Sequence, residues 1–136
     1  MTFFRVVNPE ALGEPRGWNN GMLAPAGGRV LFVAGQVASD ETGEVAVGLS
    51  FVAQFGLALG RVLAVVEQAG GGPEHLGRLT IYVTDKRAYL SGLKELGVVY
   101  RAHMGRNYPA MSLVQVAGLV EPNALLEIEG TAVLPE

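Results

Sequence analysis

The sequence predicts an α+β fold in which two helices cover one face of a mixed sheet of about six strands. Short segments in which apolar residues alternate with polar ones, or run continuously, are typical of strands. Two longer segments repeat apolar residues every three or four positions, as amphipathic helices do. No linker, repeat or low-complexity run divides residues 1–136, which indicates a single domain.

The first half of the chain predicts three strands and one helix. The first strand is followed by a long loop over residues 8–21, and loops of that length are often functional. Helix one is expected from about Ser50 to Ala69, because Ser50 is a suitable N-cap and the glycines after Ala69 end a helix. The strand segments are Phe3–Val7 and a hairpin of Met22–Ala26 with Arg29–Ala38.

The second half predicts one strand, one helix and two further strands. Asp85 is a suitable N-cap for helix two, which is expected to run to about Met104. The resulting order is β-β-β-α-β-α-β-β. The strand segments are Leu76–Thr84, Met111–Val116 and Leu125–Val133.

Both faces of the last two strands carry large apolar side chains. Leu113 and Val114 point to opposite faces, and so do Ile128 and Val133, because side chains alternate along a strand. Helices on one side only would leave the second apolar face in water. The sequence therefore predicts an oligomer in which sheets pack against each other.

Composition and charge limit the classes of partner. The formal net charge is −3, with no block of basic residues, so no nucleic-acid partner is expected. The chain has no cysteine, which excludes disulfides and thiolate chemistry. The apolar stretch Leu49–Ala69 contains too many polar residues for a membrane span, and the N-terminus lacks signal-peptide features. We expect a cytoplasmic protein that does not contact a membrane.

Four segments, together with Gln54 and Leu59 in helix one and Ala69-Gly70 at its end, carry a resemblance to a known family. The four segments are Val33-Ala-Gly-Gln36, Thr80-Ile-Tyr-Val-Thr-Asp85, Tyr108-Pro-Ala-Met-Ser-Leu-Val-Gln-Val116 and Leu125-Leu-Glu-Ile-Glu-Gly-Thr-Ala-Val133. Together they resemble the Rid (RidA/YjgF-like) proteins, the reactive-intermediate imine and enamine deaminases. The resemblance implies a chorismate-mutase-like α+β fold, assembled as a homotrimer with a small-molecule cleft between subunits.

The resemblance also implies roles for particular residues. Glu127 matches the family's glutamate that handles a water, and is the predicted catalytic residue; Glu129, on the same strand face, is expected to be structural. Leu113 would contribute its backbone N–H. The predicted substrate-binding residues are Arg16, Trp18, Gly35, Gln36, Tyr89, Met111 and Leu113.

Met111 stands where the family usually has an arginine. A guanidinium grips a carboxylate with two parallel charged hydrogen bonds, which a methionine cannot do. Arg16 is the first replacement to consider, because it lies in the loop that carries Trp18. The other candidate cations are Arg87, Arg101 and Arg106.

The resemblance implies hydrolysis of a reactive imine or enamine to a carbonyl compound and ammonia, without a cofactor. Because Met111 replaces the arginine, activity on 2-iminopropionate is expected to be weak or absent. A non-catalytic small-molecule-binding trimer is the main alternative. An endoribonuclease or translation inhibitor is disfavoured by the net charge. Neither His75 nor His103 has a partner at metal-ligand spacing, so no metal site is expected.

Overall fold

The computed structural model describes residues 3–136 and contains the expected strands in the expected order. The strands are β1 (Arg5–Val7), β2 (Gly21–Leu23), β3 (Arg29–Gln36), β4 (Leu76–Val83), β5 (Ala110–Gln115) and β6 (Leu126–Leu134). The helices are α1 (Phe51–Gln68), α2 (Lys86–Ser91) and α3 (Leu93–Met104), with single 3₁₀ turns at Glu10–Leu12 and Pro73–His75.

The strands form two sheets, so the prediction of one sheet of about six strands was wrong. A four-stranded sheet has the order β3-β6-β4-β5, in which only β4 and β5 are parallel. β1 and β2 form a separate antiparallel ribbon. The predicted hairpin of β2 with β3 is therefore absent from the described residues. Pro25, which has no N–H for a ladder, lies between these strands and accepts a turn hydrogen bond from the Gly28 N–H.

The predicted second helix is divided at Gly92. Asp85 caps α2 as expected, because its side chain accepts a hydrogen bond from the Arg87 N–H at 2.9 Å. Gly92 leaves the helical conformation, with φ −112° and ψ 14°, and α3 begins at the next residue. Glycine has the lowest helix propensity after proline, which explains a break here. The prediction of two helices is corrected to three.

The helices pack on one face of the four-stranded sheet, as predicted. Leu59, Val62 and Val66 of α1 are fully buried against strand residues such as Leu79 and Ile128. The other side of this sheet is called the open face below, and it carries Phe32, Tyr82, Val114, Glu127 and Glu129.

Gln54 connects the core to the beginning of β6. Its side chain is buried, donates to the Asn123 carbonyl at 3.1 Å and accepts from the Leu125 N–H at 2.9 Å. An unpaired buried amide is costly, so these bonds fix the chain on entry to β6. Glu127 lies two residues beyond Leu125, and its position depends on this anchor.

Helix α1 is long and apolar enough to cross a membrane by length and composition alone, with a mean hydropathy of 1.3 over 18 residues. Its apolar stripe packs into the domain core, and Phe55, Ala58 and Leu63 are all buried there. The packing accounts for the apolar composition of this helix.

Candidate functional site

The predicted site residues on β5 and β6 lie on opposite faces of the four-stranded sheet. Met111 and Leu113 pair with the core residues Leu79 and Ile81, so their side chains face the helices. Glu127 pairs with Tyr82 on the open face. Within one chain the sheet itself separates the predicted catalytic carboxylate from Met111.

Met111 lines a pocket of about 220 Å³ between β5 and helices α2 and α3. Tyr89, another of the predicted substrate-binding residues, lies in the wall of the same pocket. Eight of the lining residues are aliphatic or aromatic, which makes the pocket predominantly apolar. Its volume is below the roughly 300 Å³ at which sites for drug-sized ligands begin, so it suits a small metabolite.

Tyr100 and Tyr108 form the aromatic end of this pocket. Their rings stack with centroids 5.3 Å apart, and the Tyr100 hydroxyl donates to the Asn107 carbonyl. Burial raises the pKa of the Tyr100 hydroxyl, so this group stays neutral and bound to the backbone at physiological pH. The stacked pair is therefore a fixed wall of the pocket.

Asn19 holds the loop before β2 beside the pocket through two hydrogen bonds. The Asn19 side chain donates to the Tyr108 carbonyl at 2.6 Å, and its backbone N–H donates to the Pro109 carbonyl at 3.2 Å. This attachment places Gly17 in the pocket lining. Trp18 is 44% exposed, does not line this pocket, and donates to the Asn20 side chain at 3.4 Å.

Arg101 is the cation that lines the Met111 pocket, and Arg16 is not among the lining residues. Arg16 is exposed on the loop. The Arg101 guanidinium lies over Gly97, one helical turn earlier on α3, where a Cβ would come within 3.1 Å of Nη1. In the sequence Arg101 is only one of several candidate cations, and no local pattern distinguishes it from the others.

The Glu127 carboxylate lies against the backbone of Gly35 on the open face. A Cβ built on Gly35 would come within 2.2 Å of Glu127 Oε1, so only a glycine admits the carboxylate in this position. This direct contact supports the prediction that Gly35 and Glu127 belong to one site.

The Glu129 carboxylate accepts a hydrogen bond from a neighbouring tyrosine. The Tyr82 hydroxyl donates to Glu129 Oε1 at 2.5 Å, and this hydrogen bond is the main reason that the pKa of Tyr82 is raised. No such side-chain hydrogen bond involves Glu127 within residues 3–136, so the two carboxylates differ in their availability to a ligand.

Gln36 points away from Glu127. Its side-chain oxygen accepts a hydrogen bond from Arg61 Nε of α1 at 3.1 Å, and its amide donates to the Ala34 carbonyl at 3.1 Å. Arg61 also donates to the Ser39 carbonyl at 3.3 Å. Gln36 thus fixes the end of β3, next to a register shift between Val33 and Gln36.

The open face is rich in exposed apolar side chains. Phe32 is 81% exposed, Val30 56% and Val114 45% in the isolated chain. These residues lie on either side of the polar side chains that β6 presents on this face.

Within residues 3–136, no group of three or more His, Asp or Glu residues is arranged to hold a metal ion.

Comparison with protein families identifies the group to which this architecture belongs. The family model described as endoribonuclease L-PSP matches residues 14–134. A RutC family protein of Pasteurella multocida is 33% identical over 107 residues, covering 78% of this chain and 81% of that protein. A RutC family protein of Pyrococcus abyssi is 31% identical over 106 residues, covering 77% and 79%. The chain therefore belongs to the L-PSP endoribonuclease family, which includes the YjgF and Rid proteins.

Solved structures show the same fold. YyfB from Yersinia pestis, described as a member of the conserved Rid protein family, superposes with a TM-score of 0.84 at 32% identity, covering 98% of this chain and 100% of that one. RidA from an Antarctic Psychrobacter superposes with a TM-score of 0.66 at 27% identity, covering 98% and 100%. The predicted family and its α+β fold are confirmed.

Proposed function

We propose that the chain forms a cytoplasmic homotrimer whose clefts lie between subunits and bind a small molecule. The observation that carries this proposal is the division of the site over two faces of one sheet. Glu127 with Gly35 and the pocket at Met111 can only face one ligand if they come from different chains. The exposed apolar residues of the open face supply the surface that such an assembly would bury.

The activity that this cleft supports best is hydrolysis of a reactive imine or enamine. Glu127 holds a water and takes a proton from it as the water oxygen bonds to the carbon of C=N. That proton passes to the nitrogen and gives a carbinolamine. The hydroxyl proton of the carbinolamine is then transferred to the same nitrogen, the C–N bond breaks as the C=O bond forms, and a carbonyl compound and ammonia leave. Glu127 suits this role because, unlike Glu129, it accepts no side-chain hydrogen bond within residues 3–136.

Met111 defines the expected limits of this activity. With no guanidinium at this position of β5, hydrolysis of 2-iminopropionate is expected to be weak, because the family's carboxylate contact is missing. A non-catalytic trimer that binds a small molecule is the second candidate. The apolar lining of the pocket favours it, since binding there requires no chemistry.

The family description and some relatives name an endoribonuclease, so RNA deserves a direct comparison. Affinity for RNA comes largely from cations that contact phosphates. The chain has 10 Lys and Arg against 13 Asp and Glu, which gives no general attraction for a polyanion. We therefore place the small-molecule cleft ahead of RNA cleavage.

Substitution of the two carboxylates tests the catalytic proposal. In a screen of imines made in situ by amino-acid oxidases, Glu127→Gln should lower hydrolysis by about 10²–10⁴-fold, because glutamine cannot take a proton from water. Glu129→Gln, two residues along the same strand face, is the matched control and should change stability or assembly more than rate. Full activity of Glu127→Gln would refute the assignment, and absence of turnover in the wild type would favour the binding protein.

A further inference from the structure

The Met111 pocket contains one charged residue, and that residue is a cation. Arg101 lines the pocket together with Tyr89, Tyr108 and Met111. The rest of the lining is aliphatic, aromatic or glycine, so Arg101 determines which charge a ligand can carry there. Arg101 is an exposed residue, and an anion is the kind of ligand that gains a charge-assisted hydrogen bond from its guanidinium.

The Arg101 guanidinium is free to bind a ligand. Within residues 3–136 it forms no ion pair with a carboxylate, whereas Arg87 pairs with Asp85 at 3.5 Å. Its side chain lies over Gly97, where a Cβ would come within 3.1 Å of Nη1, and both residues line the pocket. A side chain at position 97 would require the guanidinium to shift by a few tenths of an ångström.

Arg101 and Met111 reach the pocket from different elements. Met111 is on strand β5, where the family usually has its arginine, and Arg101 is on helix α3. A carboxylate held by Arg101 therefore sits on the helix side, and the rest of the ligand extends over apolar and aromatic side chains. A methyl group, as in 2-iminopropionate, fills little of that surface.

We propose that Arg101 is the carboxylate-binding residue of this chain and that the pocket selects small carboxylates with an apolar substituent larger than methyl. The inference rests on the proposed cleft and specifies its ligand. Under the proposed activity, the substrate class is a 2-imino acid with a branched aliphatic or aromatic side chain, and the product is the matching 2-oxo acid.

Calorimetric titration with a product-type probe tests this inference. The probe is 4-methyl-2-oxopentanoate, and its amide is the neutral control of similar shape. The wild type should bind the acid more tightly than the amide. Arg101→Gln should lower affinity for the acid by about ten- to a hundredfold and leave affinity for the amide unchanged, because only the charged contact is lost.

Arg87→Gln is the matched control, since it removes the same charge from a side chain that is 89% exposed and outside the pocket. It should bind both probes as the wild type does. Equal binding of acid and amide by the wild type, or unchanged acid binding by Arg101→Gln, would overturn the inference.

Hydrolysis of the imine that corresponds to the 4-methyl-2-oxopentanoate probe, made from leucine, is measured in parallel. This measurement separates the inference about Arg101 from the proposed activity. A preference for the acid that depends on Arg101, without any hydrolysis, would reject the catalytic proposal and keep the role of Arg101. Hydrolysis that persists unchanged in Arg101→Gln would reject the role of Arg101 and keep the catalytic proposal.

Discussion

Replacement of Gly35 by alanine is expected to impair the function of Glu127 although residue 127 itself is unchanged. The added Cβ would stand 2.2 Å from Glu127 Oε1, and real contacts of this kind begin at about 3 Å. The carboxylate must therefore move by about 1 Å, and a displacement of that size can cost about 10²-fold in rate. Gly35 is not in the left-handed conformation, so alanine brings no backbone strain.

The fold should survive this substitution, because the atoms that must move are the end of a flexible side chain. We expect a melting temperature within a few degrees of the wild type and an unchanged oligomer. Imine hydrolysis should fall about a hundredfold, measured as ammonia release.

A double-mutant cycle identifies the route of this effect. If Gly35→Ala acts by moving the Glu127 carboxylate, the double variant Gly35→Ala, Glu127→Gln should be no slower than Glu127→Gln alone. Independent, multiplying losses would show that Gly35 acts elsewhere and would refute the reasoning. A rate for Gly35→Ala equal to that of the wild type would refute it as well.

Two further substitutions test the pocket and the open face. Met111→Arg should raise hydrolysis of 2-iminopropionate by about a hundredfold, since a charged bidentate contact contributes about 3 kcal/mol; an unchanged rate would mean that position 111 does not face the substrate. Val114→Asp should dissociate the proposed trimer at micromolar concentration in light scattering, because a carboxylate would be buried without a partner. Val98→Asp, on α3 and 58% exposed, is the control and should leave the oligomer intact.

The periodicity of the sequence predicted the elements well but not which strands pair. The burial of β6 alternates along most of the strand, and α1 begins after its predicted cap, Ser50, which accepts the Ala53 N–H at 3.1 Å. Local pattern does not determine the partner of a short strand. β2 pairs with β1 through Arg5 opposite Leu23, across the long loop that separates these two consecutive strands.

The candidate site could be predicted where a motif fixes a position, and not where a side chain reaches from another element. The alternation along β6 correctly put Glu127 and Glu129 on one face, yet only the structure shows that Tyr82 occupies Glu129. Proximity in sequence to Trp18 favoured Arg16 as the replacement cation. Arg101 of α3 lines the pocket instead, together with Met111 of β5, and no local pattern encodes that placement.

Activity of mixed trimers tests most directly whether the site is assembled from two chains. One subunit carries Glu127→Gln, and the other carries Met111→Trp, which fills the pocket; each variant alone should be inactive. Trimers that contain both are isolated by co-expression with two different affinity tags.

In a cyclic trimer with both kinds of subunit, one of the three clefts joins an intact Glu127 to an open pocket, whichever subunit is in excess. The mixed trimers should therefore regain about one third of wild-type hydrolysis. Mixed trimers that are as inactive as the separate variants would contradict the account, because a site built within one chain gains nothing from a second kind of subunit.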